Sequence, residues 1–164
     1  MFLLEKVDFI VVHHTAMLAT TPVEYIRAHH KEKRGWSDIG YHDLVVAGEY
    51  GWYHERGRDR KYIGAHTLGH NRFSLGFAFG GNYDIEKLPA GAMAVGCNVL
   101  AMLCTEYNLN PMEGGIKYHQ EFVDTACPGR NLINIWPWIL REVYERMPIA
   151  DRDFGGYPDE GRRK

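Results

Sequence analysis

Residues 89–107, PAGAMAVGCNVLAMLCTEY, place apolar side chains on nearly every face of a helix: Met93, Val95, Cys97, Val99, Leu100, Met102, Leu103 and Cys104. A helix of this kind has no polar face to offer to water, so other elements must enclose it. The rest of the chain supplies strands for that purpose. Residues 7–14 (VDFIVVHH) form a short apolar run rich in β-branched residues, the pattern of a buried strand, and 41–46 and 74–79 read as further strands. WYHERG, after a turn at 48–51, reads as the hairpin partner of 41–46, and GIKYH at 115–119 as one more short strand. Strands interspersed with helices predict an α/β fold: a single-layer mixed β-sheet flanked by about three helices.

Thr21-Pro22-Val23-Glu24 has the form of a capping box with proline at the first helical position, so a helix is expected over 22–33, stopping at Gly35. His29 and His30 lie on it among Arg and Lys, which predicts a solvated face for both. The last helix spans 132–147, where Pro137 implies either a kink or a start. Residues 1–148 then form one domain, and 149–164, Gly-rich and charged, read as a flexible tail.

A chain of 164 residues can bury a core without covalent staples. Its formal charge of −2 offers no footprint for nucleic acid, and no apolar run is expected to span a membrane. Glu5 and Asp8 interrupt a signal-peptide core, so synthesis without a leader is expected. The 3 cysteines show no disulfide-framework spacing, as in a reducing compartment. A count of 9 histidines favours a metal or acid–base site.

The chemistry concentrates in KYHQEFVDTACPGRN, residues 117–131, where His119 precedes Cys127 and Pro128-Gly129 lead into an apolar run. A cysteine just ahead of a helix sits where unpaired backbone N–H groups favour a thiolate. His119 can share its task as a ligand beside a sulfur ligand or as the base beside a nucleophile. The plain alternative is a buried structural cysteine and a surface histidine. His13 and His14 end a strand and point to opposite faces, so only one can join a given site. One of them with His119 and Cys127 makes two imidazoles and a thiolate. Zinc accepts that set and keeps its fourth position for water, a centre suited to amide hydrolysis. Cys97 and Cys104, on one helical face, belong to the core.

VVHHTA, GWSDIGYH, GAHTLGHNRFSLGFAFGGNY and HQEFVDTACPG, in this order and at these separations, resemble the type 2 N-acetylmuramoyl-L-alanine amidases. That family includes the T-odd phage lysozymes and the peptidoglycan recognition proteins. The resemblance covers residues 7–144, and the four motifs are specific together as none is alone. It implies one zinc ion per chain held by His13, His119 and Cys127, with Tyr41 and Thr125 as catalytic residues. Thr125 follows the active recognition proteins, since the phage branch commonly carries lysine there. The implied reaction is cleavage of the amide between the N-acetylmuramic acid lactyl group and L-alanine by metal-activated water. Tyr41 and Thr125 would hold the water and the oxyanion. His66 and Asn71 are expected to contact the glycan or stem peptide, and His14 and His42 to orient ligands.

The implied partner is bacterial peptidoglycan, met by a monomer. An endolysin-type enzyme of this kind is made in the host cytoplasm and acts at the cell wall after release. Three other readings use the same residues: a wall-binding recognition module without catalysis, a thiol hydrolase with Cys127 attacking and His119 as base, and a structural zinc site closed by a fourth ligand such as His14 or His66.

Overall fold

A computed structural model describes residues 1–152 of the chain. Its centre is one five-stranded mixed sheet. Strand β1 (Phe9–His14) is followed by helix α1 (Val23–Arg34), then the hairpin β2 (Asp43–Gly48) and β3 (Gly51–Arg56), then β4 (Ser74–Phe79). Helix α2 (Ala90–Tyr107), strand β5 (Ile116–Tyr118), the short helix α3 (Arg130–Ile133) and helix α4 (Trp136–Arg146) complete the order. The strands lie β3-β2-β4-β1-β5. Within this sheet β2 and β3 pair antiparallel as a hairpin, β1 pairs in parallel with β4 and β5, and β4 with β2. The expected mixed sheet with flanking helices is therefore present, with α3 as a short fourth helix.

Helices cover both faces, which is why the parallel strands are apolar runs without alternation. On one face Ile10, Val12, Phe77 and Phe79 meet Cys97, Leu100, Leu103 and Cys104 of α2 and Ile139 and Val143 of α4. On the other, Leu44, Val46 and Ala78 meet Val23 and Ile26 of α1. Helix α2 is long and apolar enough, by length and composition, to cross a membrane, contrary to the expectation that no run is; here it packs in the core against the sheet and α4. Gly96 allows that approach, since a Cβ there would meet the Phe79 ring at 2.3 Å.

Other local expectations are corrected. Pro22, not Thr21, is the residue at the cap of α1, and it has no side-chain oxygen to offer; Glu24 pairs with Arg27 at 3.0 Å instead of closing a capping box. The stop is as expected, with Gly35 at φ +66° donating its N–H to Lys31 O. His30 is buried rather than solvated, because it extends the Val23/Ile26 stripe, and its Nδ1 accepts the Gly40 N–H at 3.1 Å. Pro137 marks the first turn of α4, so it is a start and not a kink. Of the expected tail, Ile149–Asp151 forms a single tight turn and Arg152 donates to Met147 O at 2.8 Å. Residues 153–164 lie outside the described residues.

Candidate metal centre

The site forms where β1 and β5 end side by side. Val12 pairs with Tyr118, so His13 and His119 each follow the last paired residues of adjacent parallel strands. Ile10 and Val12 enter the core under α2. By alternation His13 turns to the opposite face and His14 back to the first. His14 is held there by the Tyr83 N–H, which donates to its Nδ1 at 3.1 Å. Strand alternation thus leaves His13 as the member of the pair that reaches the site.

Cys127 arrives from the loop between β5 and α3. The His14 N–H donates to Cys127 Sγ at 3.4 Å, and Sγ lies 3.6 Å from His13 Nδ1. Gly129, at φ +97°, lets the loop lie against residues 83–84, where a Cβ would fall 2.2 Å from the Tyr83 carbonyl carbon. The ligand-capable atoms of His13, His119 and Cys127 all lie within 4.8 Å of one another, and among the described residues this is the group so disposed. Neither His14 nor His66 adds a fourth donor to it.

Burial sets the electrostatics. It lowers His13 well below 6.5, helped by His66, His119 and His14, and it lowers His119 as well. It pushes the Cys127 thiol up to about 12, against the pull of the His14 N–H. The expected helix-terminus thiolate is therefore not available to the protein alone, because α3 has only 4 residues and desolvation outweighs it. Two neutral imidazoles and a buried sulfur make an uncharged, electron-rich pocket. His119 Nδ1 is buried with no hydrogen-bond partner. A partnerless buried ring nitrogen on one of three residues whose nitrogen and sulfur ligand atoms converge fits a divalent cation, which would restore the lost interaction and hold the sulfur as a thiolate.

Tyr41 stands over this cluster, its ring centroid 5.2 Å from His13 and 5.4 Å from His30. Burial and the neighbouring Cys127 raise its phenol, so it is a proton-bearing donor at neutral pH. Thr125 Oγ1 accepts the Cys127 N–H at 3.2 Å and so braces the loop while keeping its own proton free. The two residues expected to meet substrate are differently engaged. His66 is only 8% exposed and its Nδ1 lies 3.2 Å from His13 Nε2. Asn71 Oδ1 accepts the N–H groups of His66 and Thr67, each at 2.8 Å. His42 bridges Tyr62 O at 2.9 Å and the Gly76 N–H at 2.9 Å, away from the cluster. Sequence reasoning did not find Thr67, whose Oγ1 lies 3.0 Å from His66 Nδ1, nor the role of His30 beneath Tyr41. The one available signal was the adjacency of Thr67 to His66 in GAHT.

Residues 4–130 match the family described as N-acetylmuramoyl-L-alanine amidase. The human protein named N-acetylmuramoyl-L-alanine amidase is 31% identical over 150 residues, 84% of this chain, although the match spans only 26% of that longer protein. Among solved structures, the N-acetylmuramoyl-L-alanine amidase LysC from Clostridium intestinale URNW superposes with a TM-score of 0.70 at 30% identity, covering 82% of this chain and 85% of LysC. Peptidoglycan recognition protein-LE in complex with tracheal cytotoxin, a monomeric diaminopimelic acid-type peptidoglycan, superposes with a TM-score of 0.65 at 32% identity, covering 80% of each chain.

Proposed function

Because the chain belongs to the N-acetylmuramoyl-L-alanine amidase family, we propose that it is a zinc-dependent peptidoglycan amidase of endolysin type. The reaction is hydrolysis of the amide between the muramic acid lactyl group and L-alanine, at the cell wall. The observation that carries this reading is the three-donor cluster of His13, His119 and Cys127, with its orphaned His119 nitrogen, lying beneath the Tyr41 ring.

His13, His119 and Cys127 would hold the ion. When bound, zinc supplies Lewis-acid polarisation of the scissile carbonyl and activation of a water. Tyr41, kept as a phenol, donates a hydrogen bond to the oxygen on which negative charge develops. The Thr125 hydroxyl accepts from the Cys127 N–H, so its own proton is left for the oxyanion or the attacking water. Thr125 carries no charge, so proton delivery to the leaving amine falls to Tyr41 or a water chain. A thiol mechanism is disfavoured by the Cys127 thiol at about 12, since His119, itself lowered by burial, is a weak base for it.

The test is digestion of purified peptidoglycan by zinc-loaded protein, with new amino termini and new reducing ends counted together. Free L-alanine amino termini, lost on chelation and regained on zinc addition, are expected. New reducing sugar ends would instead mean a glycosidase, and binding without either product would move the chain to non-catalytic recognition. Cys127→Ala is expected to abolish activity with the fold retained; full zinc content in that variant would contradict the ligand assignment.

A further inference from the structure

A histidine ligand must keep one ring nitrogen free of its proton, and proteins arrange this through the other ring nitrogen. His13 Nδ1 is the nitrogen 3.6 Å from Cys127 Sγ, while His13 Nε2 faces His66 Nδ1 at 3.2 Å. Between two facing ring nitrogens there is room for a single proton. Its owner is decided on the far side of His66.

There, His66 Nε2 lies 3.4 Å from the Ser74 carbonyl oxygen and 3.5 Å from Ser74 Oγ. The carbonyl can only accept. Ser74 Oγ already donates its proton to the His70 carbonyl at 2.8 Å, which leaves lone pairs facing the ring. Both neighbours being acceptors, His66 carries its proton on Nε2 and presents Nδ1 as an acceptor. His13 must then be the donor, with its proton on Nε2 and the Nδ1 lone pair aimed at the donor cluster. Thr67 Oγ1, 3.0 Å from His66 Nδ1 and 3.5 Å from His13 Nε2, fits the same tautomers, since its hydroxyl either shares the single His66 Nδ1 lone pair with the His13 donor or accepts from His13 Nε2–H.

The surroundings hold His66 to the task. Asn71 pins its backbone, and Gly76 opens the space for its ring, since a Cβ at Gly76 would meet His66 Cγ at 2.5 Å. We infer that His66 is a positioning residue which, anchored on Ser74, fixes the tautomer of His13 and so prepares that ligand for the metal. A neutral imidazole here does the work more often given to a carboxylate or a backbone carbonyl. The inference rests on the metal reading proposed above and gives that site a residue acting through a ligand.

The test is zinc affinity of the full chain by chelator competition, for wild type, His66→Leu and His66→Asn, with circular dichroism of the metal-free proteins as the check on folding. His66→Leu is expected to bind zinc about 10–100-fold more weakly. His66→Asn, whose carboxamide oxygen can accept from His13 Nε2–H, is expected to recover most of that loss, which a merely space-filling role would not allow. Nitrogen-15 spectra of the histidine rings in metal-free wild type are expected to show His13 protonated on Nε2. Wild-type zinc binding with undiminished affinity in His66→Leu would overturn the inference and leave the proposed function standing. Absence of zinc binding by wild type would overturn the function and with it the preparation of a ligand, while the ring spectra would still decide whether His66 sets the His13 tautomer: His13 protonated on Nδ1 refutes it, whether or not His66→Leu folds.

Discussion

Replacing Arg60 with methionine should cost this protein a large share of its stability. Asp43 opens β2, two residues after Tyr41, and is fully buried. Its carboxylate accepts Arg60 Nη2 at 2.6 Å and Nε at 2.8 Å, together with His54 Nε2 at 2.7 Å. Burial alone would raise the Asp43 carboxyl, and the bonds from His54 and Arg60 outweigh it and hold it below its ordinary value. Arg60 also reaches Glu106 near the end of α2 at 2.8 Å, but Glu106 is 46% exposed and adds little. The Asp43–Arg60 pair, with side chains 0% and 5% exposed, is the buried kind, and removing one partner of such a pair costs about 3–5 kcal/mol because the other charge is stranded. For a domain of this size that corresponds to a fall in Tm of roughly 6–20 °C. Urea unfolding of wild type, Arg60→Met, Asp43→Leu and the double variant would measure it as a thermodynamic cycle. The double variant, which strands no charge, should recover much of the loss. A cost below about 1 kcal/mol for Arg60→Met, or a double variant as unstable as the two single costs added, would refute the reasoning.

Three other outcomes are expected. Burial lowers His30 and His42 from 6.5 to about 4, so the folded state resists protonating them; the stability of metal-free protein should be full above about 6.5 and decline as pH falls toward about 4. The slope is up to roughly 1.4 kcal/mol per pH unit for each ring, and equal urea midpoints at pH 7.5 and pH 5 would contradict it. Gly129→Ala forces a side chain onto the Tyr83 backbone at a φ of +97°, so it should displace Cys127 and lower both Tm and bound zinc per chain, with wild-type values of both as the adverse result. Tyr41→Phe should reduce peptidoglycan cleavage by about 10²–10³-fold with zinc content unchanged, and full activity would remove Tyr41 from the mechanism.

Much of the fold was legible because its causes are local. The apolar run at 74–79 is a strand over Ser74–Phe79, the hairpin follows its turn glycines, and α2 spans Ala90–Tyr107 as its uniform apolarity requires. Three of the site residues are carried by strand ends and a loop that the sequence places in order. Alternation along β1 says that only one of His13 and His14 can serve, and pairing with β5 and β4 decides which. His30 was misread because a charged neighbourhood in sequence says nothing about which face packs inward.

What the linear chain determined by itself is the list of donors, imidazole and sulfur, and the pattern of strands and helices that brings them toward one end of a sheet. What only the folded molecule decided is the environment of each donor: the desolvation that pushes the Cys127 thiol up, the partnerless His119 nitrogen, and the contacts that join Ser74, His66 and His13. Hydrogen-bond direction and burial depend on atoms from β1, β4 and two loops meeting within a few ångströms, and no local stretch of sequence encodes such a meeting.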